Sequence, residues 1–86
     1  MFKTVITWNS LEDLMGTPDL NRDRRTFLDA LKNLGKTTGV PEVDNETFTA
    51  TILFEDETSA QYWLDYITSL AEKYNKTIVS KTLETV

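Results

Sequence analysis

The three arginines of this chain all lie in NRDRRTF, residues 21–27, whereas the six lysines are spread along the sequence. Arginine recognises phosphate and carboxylate groups through two parallel hydrogen bonds. Arg22, Arg24 and Arg25 are therefore candidate ligands of an anion, a nucleotide or RNA. The alternative interpretation is structural, because acidic residues surround the cluster and Arg25 and Asp29 have the i,i+4 spacing of a helical ion pair.

The segment AQYWLDYITSLAEKY, residues 60–74, contains four aromatic residues. At about 100° per residue of a helix, Trp63 lies on the apolar stripe, Tyr66 lies at its flank and Tyr62 points to solvent. Tyr62, Tyr66 and Lys73 form a candidate partner-binding stripe, because tyrosine supplies a large contact area at low entropy cost. The alternative is that the two tyrosine rings cover a loop or a neighbouring helix.

Several kinds of chemistry are excluded by residue type. The chain has no cysteine and no histidine, so disulfides, zinc–thiolate sites, cysteine nucleophiles and Ser-His-Asp triads are all ruled out. Acidic groups at 12–13, 42–46 and 55–57 offer the oxygen ligands that calcium and magnesium prefer, but none has the EF-hand pattern. We therefore expect no metal, no cofactor and no enzymatic activity.

Length and charge narrow the class of partner. The 86 residues indicate one domain, and the net charge is −5. This balance disfavours nucleic acid and anionic membrane and favours a protein partner with a basic surface. No apolar run approaches the ~20 residues that cross a bilayer, and residues 1–13 lack the apolar core of a signal peptide. A cytoplasmic location is expected.

The sequence predicts six main elements and, in addition, one short helical turn after Ser10. Thr17 caps the first main helix with Pro18 in its first turn, or Asn21 caps it later. A capping box at Thr58 and Gln61 starts the second helix. The predicted segments are strand 2–8, helix 17–35, edge strand 40–43, a turn at 44–45, strand 46–55, helix 58–74 and strand 76–84.

This β-α-β-β-α-β order predicts an α+β fold, a ferredoxin-like sandwich with one antiparallel sheet and two helices on one face. Leu20, Phe27, Leu31 and Leu34 form the expected core stripe of the first helix. The second face of the sheet is rich in threonine and also carries the apolar residues Val5 and Leu53. That open face is either solvated or the contact surface of a homodimer.

Three functions are consistent with these features. The favoured hypothesis is a small acidic, non-enzymatic protein-binding module that regulates or inhibits a partner by occupying its basic surface. The first alternative is RNA or nucleotide binding through the arginine cluster, although strand 46–55 lacks the aromatic and basic positions of an RNA-recognition motif. The second is a ligand-binding or enzymatic homodimer with a pocket lined by Trp8, Trp63, Tyr66 and Arg24.

Overall fold

The computed structural model describes residues 1–86 as a four-stranded antiparallel sheet with three helices. The strands lie in the order β2-β3-β1-β4, so β2 and β4 are the two edges. None of the helices combines the length and the apolar composition that crossing a membrane requires. The elements are β1 (Phe2–Trp8), α1 (Leu11–Met15), α2 (Pro18–Asn33), β2 (Glu42–Asp44), β3 (Thr49–Phe54), α3 (Glu57–Lys73) and β4 (Ile78–Thr85).

Alternation along the two central strands separates a buried face of the sheet from an open one. Ile6 and Trp8 of β1 are buried, as are Ile52 and Phe54 of β3, whereas the residues between them are only half-buried. Successive side chains of a strand point to opposite faces, which explains this pattern. The buried side chains join those of the helices in one hydrophobic cluster.

The two long helices contribute unequally to that cluster. Helix α3 buries seven residues and closely approaches β1, β3 and β4. Helix α2 buries only Leu20 and Leu28, and its close backbone approach is to α3. The prediction that Leu34 belongs to the core stripe is wrong, since Leu34 follows the last helical residue and is 71% exposed.

The helix starts test the predicted caps. Thr17 caps α2, with its side chain accepting from the Leu20 N–H at 3.3 Å, so the later start at Asn21 is not used. The prediction of a capping box at Thr58 is wrong. Helix α3 begins at Glu57, and Asp56 Oδ1 accepts from the Ser59 N–H at 2.7 Å. A carboxylate both satisfies this N–H and places negative charge at the positive helix end.

The hairpin loop between β2 and β3 is longer than the predicted two-residue turn. Asp44 Oδ1 accepts from the N–H groups of Glu46 and Thr47, at 2.9 and 3.3 Å. Phe48 then adopts a positive φ of 60°, and β3 starts only at Thr49. An aspartate side chain that accepts hydrogen bonds from N–H groups two or three residues later stabilises a turn. Strand β3 therefore begins further along the sequence than predicted.

Both sheet edges have features that oppose further pairing. Strand β2 has three residues and follows Pro41, which has no N–H to donate. Strand β4 is longer, but Lys81 lies opposite Ile6 on the helix-covered face. Its Nζ donates to Thr68 Oγ1 at 2.6 Å. A charged side chain that points inward from an edge strand is a known barrier to edge-to-edge association.

Candidate functional site

Tyr62 is the aromatic residue of α3 that the fold leaves free. Its side chain is 60% exposed and makes no hydrogen bond to another residue, in agreement with its position on the helical wheel. Asp65 lies three residues further on the same side of α3. It accepts from Gln61 Nε2 at 2.9 Å but has no Lys or Arg nitrogen within 4.0 Å.

Tyr66 is different, because its ring joins α3 to α2. It stacks on Phe27 with ring centroids 4.2 Å apart and planes 10° from parallel. Its hydroxyl also points to the Asp23 carbonyl at 3.5 Å. Offset stacking of this kind adds about 0.5–1.5 kcal/mol beyond the buried area. The ring therefore has a structural role, and the alternative in which it covers a neighbouring helix applies to Tyr66 but not to Tyr62.

Lys73 also takes part in contacts between the helices. Its Nζ lies 3.6 Å from Asp23 Oδ2, and Tyr74 Oη donates to the same oxygen at 2.6 Å. The hydrogen bond from Tyr74 lowers the pKa of Asp23, and the positive charge of Lys73 acts in the same direction. The hydrogen bond to the Asp23 carboxylate raises the pKa of Tyr74. Lys73 thus contributes to this junction and lies away from Tyr62.

We define the tyrosine surface as Tyr62, Asp65 and the exposed edge of Tyr66. Sequence reasoning identified both tyrosines but missed Asp65, although its i+3 spacing from Tyr62 was available in the sequence. Nothing local in the sequence indicates the Asp23–Tyr74 contact, which joins residues 51 positions apart. The predicted stripe of Tyr62, Tyr66 and Lys73 is therefore not continuous.

The arginine cluster is divided by the fold. Arg22 is exposed and neutralised, with Asp19 Oδ1 at 3.2 Å and Asp23 Oδ1 at 3.7 Å. Arg25 is exposed and has neither an ion pair nor a hydrogen bond, so the predicted pair with Asp29 is not formed. The three side chains therefore do not form one anion site on a common surface.

Arg24 points inward and closes the C-terminal end of α1. Its Nη1 and Nη2 donate to the carbonyls of Leu14 and Met15, each at 3.3 Å, and Nη2 also donates to Asn21 Oδ1. The guanidinium lies 6.0 Å from the centroid of the Trp8 ring. Burial lowers the pKa of Arg24. Carbonyl oxygens of a helix end, and not a carboxylate, therefore stabilise this positive charge.

The open face of the sheet is more acidic than its threonines suggest. Glu42 pairs with Thr51 and Asp44 with Thr49, so both carboxylates share the open face. Glu84 pairs with Lys3 there, with Nζ and Oε2 3.4 Å apart. The carboxylates of Glu42 and Asp44 have no Lys or Arg nitrogen within 4.0 Å, so they leave net negative charge on this face.

The pocket predicted around Trp8, Trp63, Tyr66 and Arg24 is only partly formed. Trp63 and Arg24 line a groove beside α2. Trp8 lies beneath the Arg24 guanidinium, and Tyr66 stacks on Phe27 instead of lining the groove. Two of the four residues therefore come together.

No protein-family model matches this sequence, and neither curated proteins nor solved structures give a significant match.

Proposed function

We propose that this protein is a small acidic, non-enzymatic protein-binding module that regulates or inhibits a partner by occupying a basic surface of that partner. Its charge supports the proposal. Of fourteen carboxylate side chains, five lie within 4.0 Å of a Lys or Arg nitrogen, so nine have no cationic partner in the chain. Such an excess steers association toward positive surfaces.

The single observation that carries the proposal is the tyrosine surface. Tyr62 offers an exposed ring, and Asp65 offers a carboxylate whose charge is uncompensated. A Lys or Arg of the partner can lie over the Tyr62 ring while pairing with Asp65. The Tyr66–Phe27 stack fixes the ring beside Tyr62 against α2, and a side chain that is ordered before binding loses less entropy on binding.

We also infer that the architecture is the ferredoxin-like arrangement, with α1 as an addition between β1 and α2. The strand order β2-β3-β1-β4 and the antiparallel pairing of all neighbours support this. The arrangement hosts many unrelated functions, so the proposed activity rests on the tyrosine surface and the acidic charge, and not on the fold.

The test is affinity capture from a lysate of the natural host, performed with and without nuclease treatment. The baits are the wild type, Tyr62→Ala, Asp65→Asn and, as a matched control, Val79→Ala, which removes an exposed apolar side chain of the edge strand β4. We expect a basic protein that is retained by wild type and Val79→Ala. Tyr62→Ala should lose at least tenfold in affinity, since a hot-spot tyrosine contributes about 2 kcal/mol or more.

Tyr62→Ala should have a free energy of unfolding within about 0.5 kcal/mol of that of wild type, because exposed side chains contribute little to stability. Tyr66→Ala is not a clean probe, since it breaks the stack on Phe27 and should lower the free energy of unfolding by about 1–3 kcal/mol. Equal capture by wild type, Tyr62→Ala and Asp65→Asn would contradict the proposal. Capture that disappears with nuclease would instead favour the nucleic-acid alternative.

A further inference from the structure

A groove of about 280 Å³ runs between α2 and the β2 edge of the sheet. Its floor consists of buried apolar side chains, chiefly Leu28, Ile52 and Trp63. Pro41 and Val43 form the outer wall. The space stays unfilled because α2 packs on α3 rather than on the strands, and the β3 residue at this position is the small Ala50.

The groove also collects cationic side chains that form no ion pair within the chain. Only four of the nine cationic side chains have no carboxylate oxygen within 4.0 Å: Arg24, Arg25, Lys32 and Lys81. Arg24 and Arg25 line the groove. Lys32 lies two helical turns further along α2, and its stem passes close to Gly39 at the groove wall. Three of the four unneutralised cations therefore border one cleft.

Arg24 is held ready for an anion by the protein itself. A guanidinium has five N–H donors, and three are directed to Leu14, Met15 and Asn21. Two donors remain on a side chain that is fixed and partly desolvated. A half-buried charge without a counter-ion is costly, so an anion that pairs with it gains more than at an open surface.

We propose that this groove binds a small organic carboxylate, with its apolar body on the Trp63 and Leu28 floor and its carboxylate within reach of Arg24 and Arg25. A planar carboxylate matches the guanidinium fork. Asp29 also lines the groove and opposes higher negative charge, so a monoanion is preferred to a phosphate dianion. The volume is just below the ~300 Å³ at which small-molecule pockets begin, which suits a compact ligand.

Intrinsic fluorescence gives a direct readout, because Trp63 lies in the groove floor and Trp8, the other tryptophan of the chain, lies beneath the Arg24 guanidinium that borders the groove. The probes are 3-phenylpropionate and octanoate, with the uncharged 3-phenylpropanamide and inorganic phosphate as controls. We expect a saturable change with at least one carboxylate at a Kd of about 1 mM or tighter. The amide and phosphate should bind at least tenfold more weakly.

Arg25→Gln is the decisive variant, because Arg25 makes no contact that folding needs. It should weaken carboxylate binding about tenfold, in line with the loss of a charge-assisted hydrogen bond. Arg22→Gln is the matched control on the same helix, since Arg22 is already paired with Asp19 and lies outside the groove. Asp29→Asn should strengthen binding by removing a like charge.

Backbone amide chemical shifts then locate the ligand, with the largest changes expected near Leu28, Ala50 and Trp63. No saturable response to either carboxylate would overturn the inference, as would equal binding of the amide or equal weakening by Arg22→Gln and Arg25→Gln. The tyrosine surface plays no part here. Tyr62→Ala should leave carboxylate binding unchanged, so each proposal can fail without the other.

Discussion

The two long helices differ in how they use their residues. Helix α3 buries seven side chains against three strands, and only one of its aromatic rings, Tyr62, is largely exposed. Helix α2 buries two side chains and carries all three arginines, of which Arg22 and Arg25 are exposed and Arg24 is half-buried, with the groove along one side. Most of the stabilising apolar burial therefore belongs to α3, whereas most of the cationic side chains without a carboxylate partner belong to α2.

The largest expected effect tests whether α3 is packed more tightly than α2. Ile67 of α3 is fully buried between helix and sheet, so Ile67→Ala should lower the free energy of unfolding by about 3–5 kcal/mol. Leu28→Ala on α2 should cost less, about 2–3 kcal/mol, because the removed atoms enlarge an existing groove instead of opening a closed cavity. Urea unfolding followed by circular dichroism measures both values. Equal losses would show that α2 is packed as tightly as α3.

A smaller effect tests whether Arg24 stabilises the fold. Arg24→Met keeps the bulk but removes the donors that satisfy the Leu14 and Met15 carbonyls, so we expect a loss of about 1–2 kcal/mol. The neighbouring Arg25→Met should change the free energy of unfolding by less than about 0.5 kcal/mol. An increase in stability in Arg24→Met would mean that desolvation of the guanidinium outweighs its hydrogen bonds.

The smallest effect concerns how acidic pH changes the free energy of unfolding through Asp23, at the junction between the two helices. The pKa of Asp23 is lowered in the folded protein, chiefly by its hydrogen bond from Tyr74. A carboxyl group with a lowered folded pKa stabilises the fold above its unfolded pKa, and this contribution is lost as pH falls below about 4. Asp23→Asn should therefore lose less stability than wild type between pH 7 and pH 3. Equal losses in urea unfolding at the two pH values would contradict this.

Local patterns in the sequence predicted much of the framework. The α+β class with one antiparallel sheet is confirmed, as are the Thr17 cap and the exposure of Tyr62. These features depend on strand alternation, cap chemistry and helical periodicity, which act over a few residues. The Thr58 cap was wrong because Asp56, two residues earlier, is an equally suitable residue that also carries charge.

The candidate sites were less predictable because they depend on tertiary contacts. Arg24 is positioned by carbonyls of α1, ten and nine residues earlier in the chain. Tyr66 is positioned by a ring on another helix. The groove exists because α2 stands off the strands near Ala50, which no periodicity in α2 reveals. Residue types therefore indicated which side chains could bind a partner or a ligand. Which of them lie together in one site depends on how the helices pack.

The inward position of Lys81 has a consequence for the behaviour of the protein at high concentration. A strand added along β4 would enclose an ammonium group that now reaches Thr68 at the rim of the sheet, and burying that charge is costly. Replacing Lys81 with an apolar residue would remove this obstacle from the longer edge. Fibril formation in concentrated samples should then begin from β4, where the native chain is protected by one side chain.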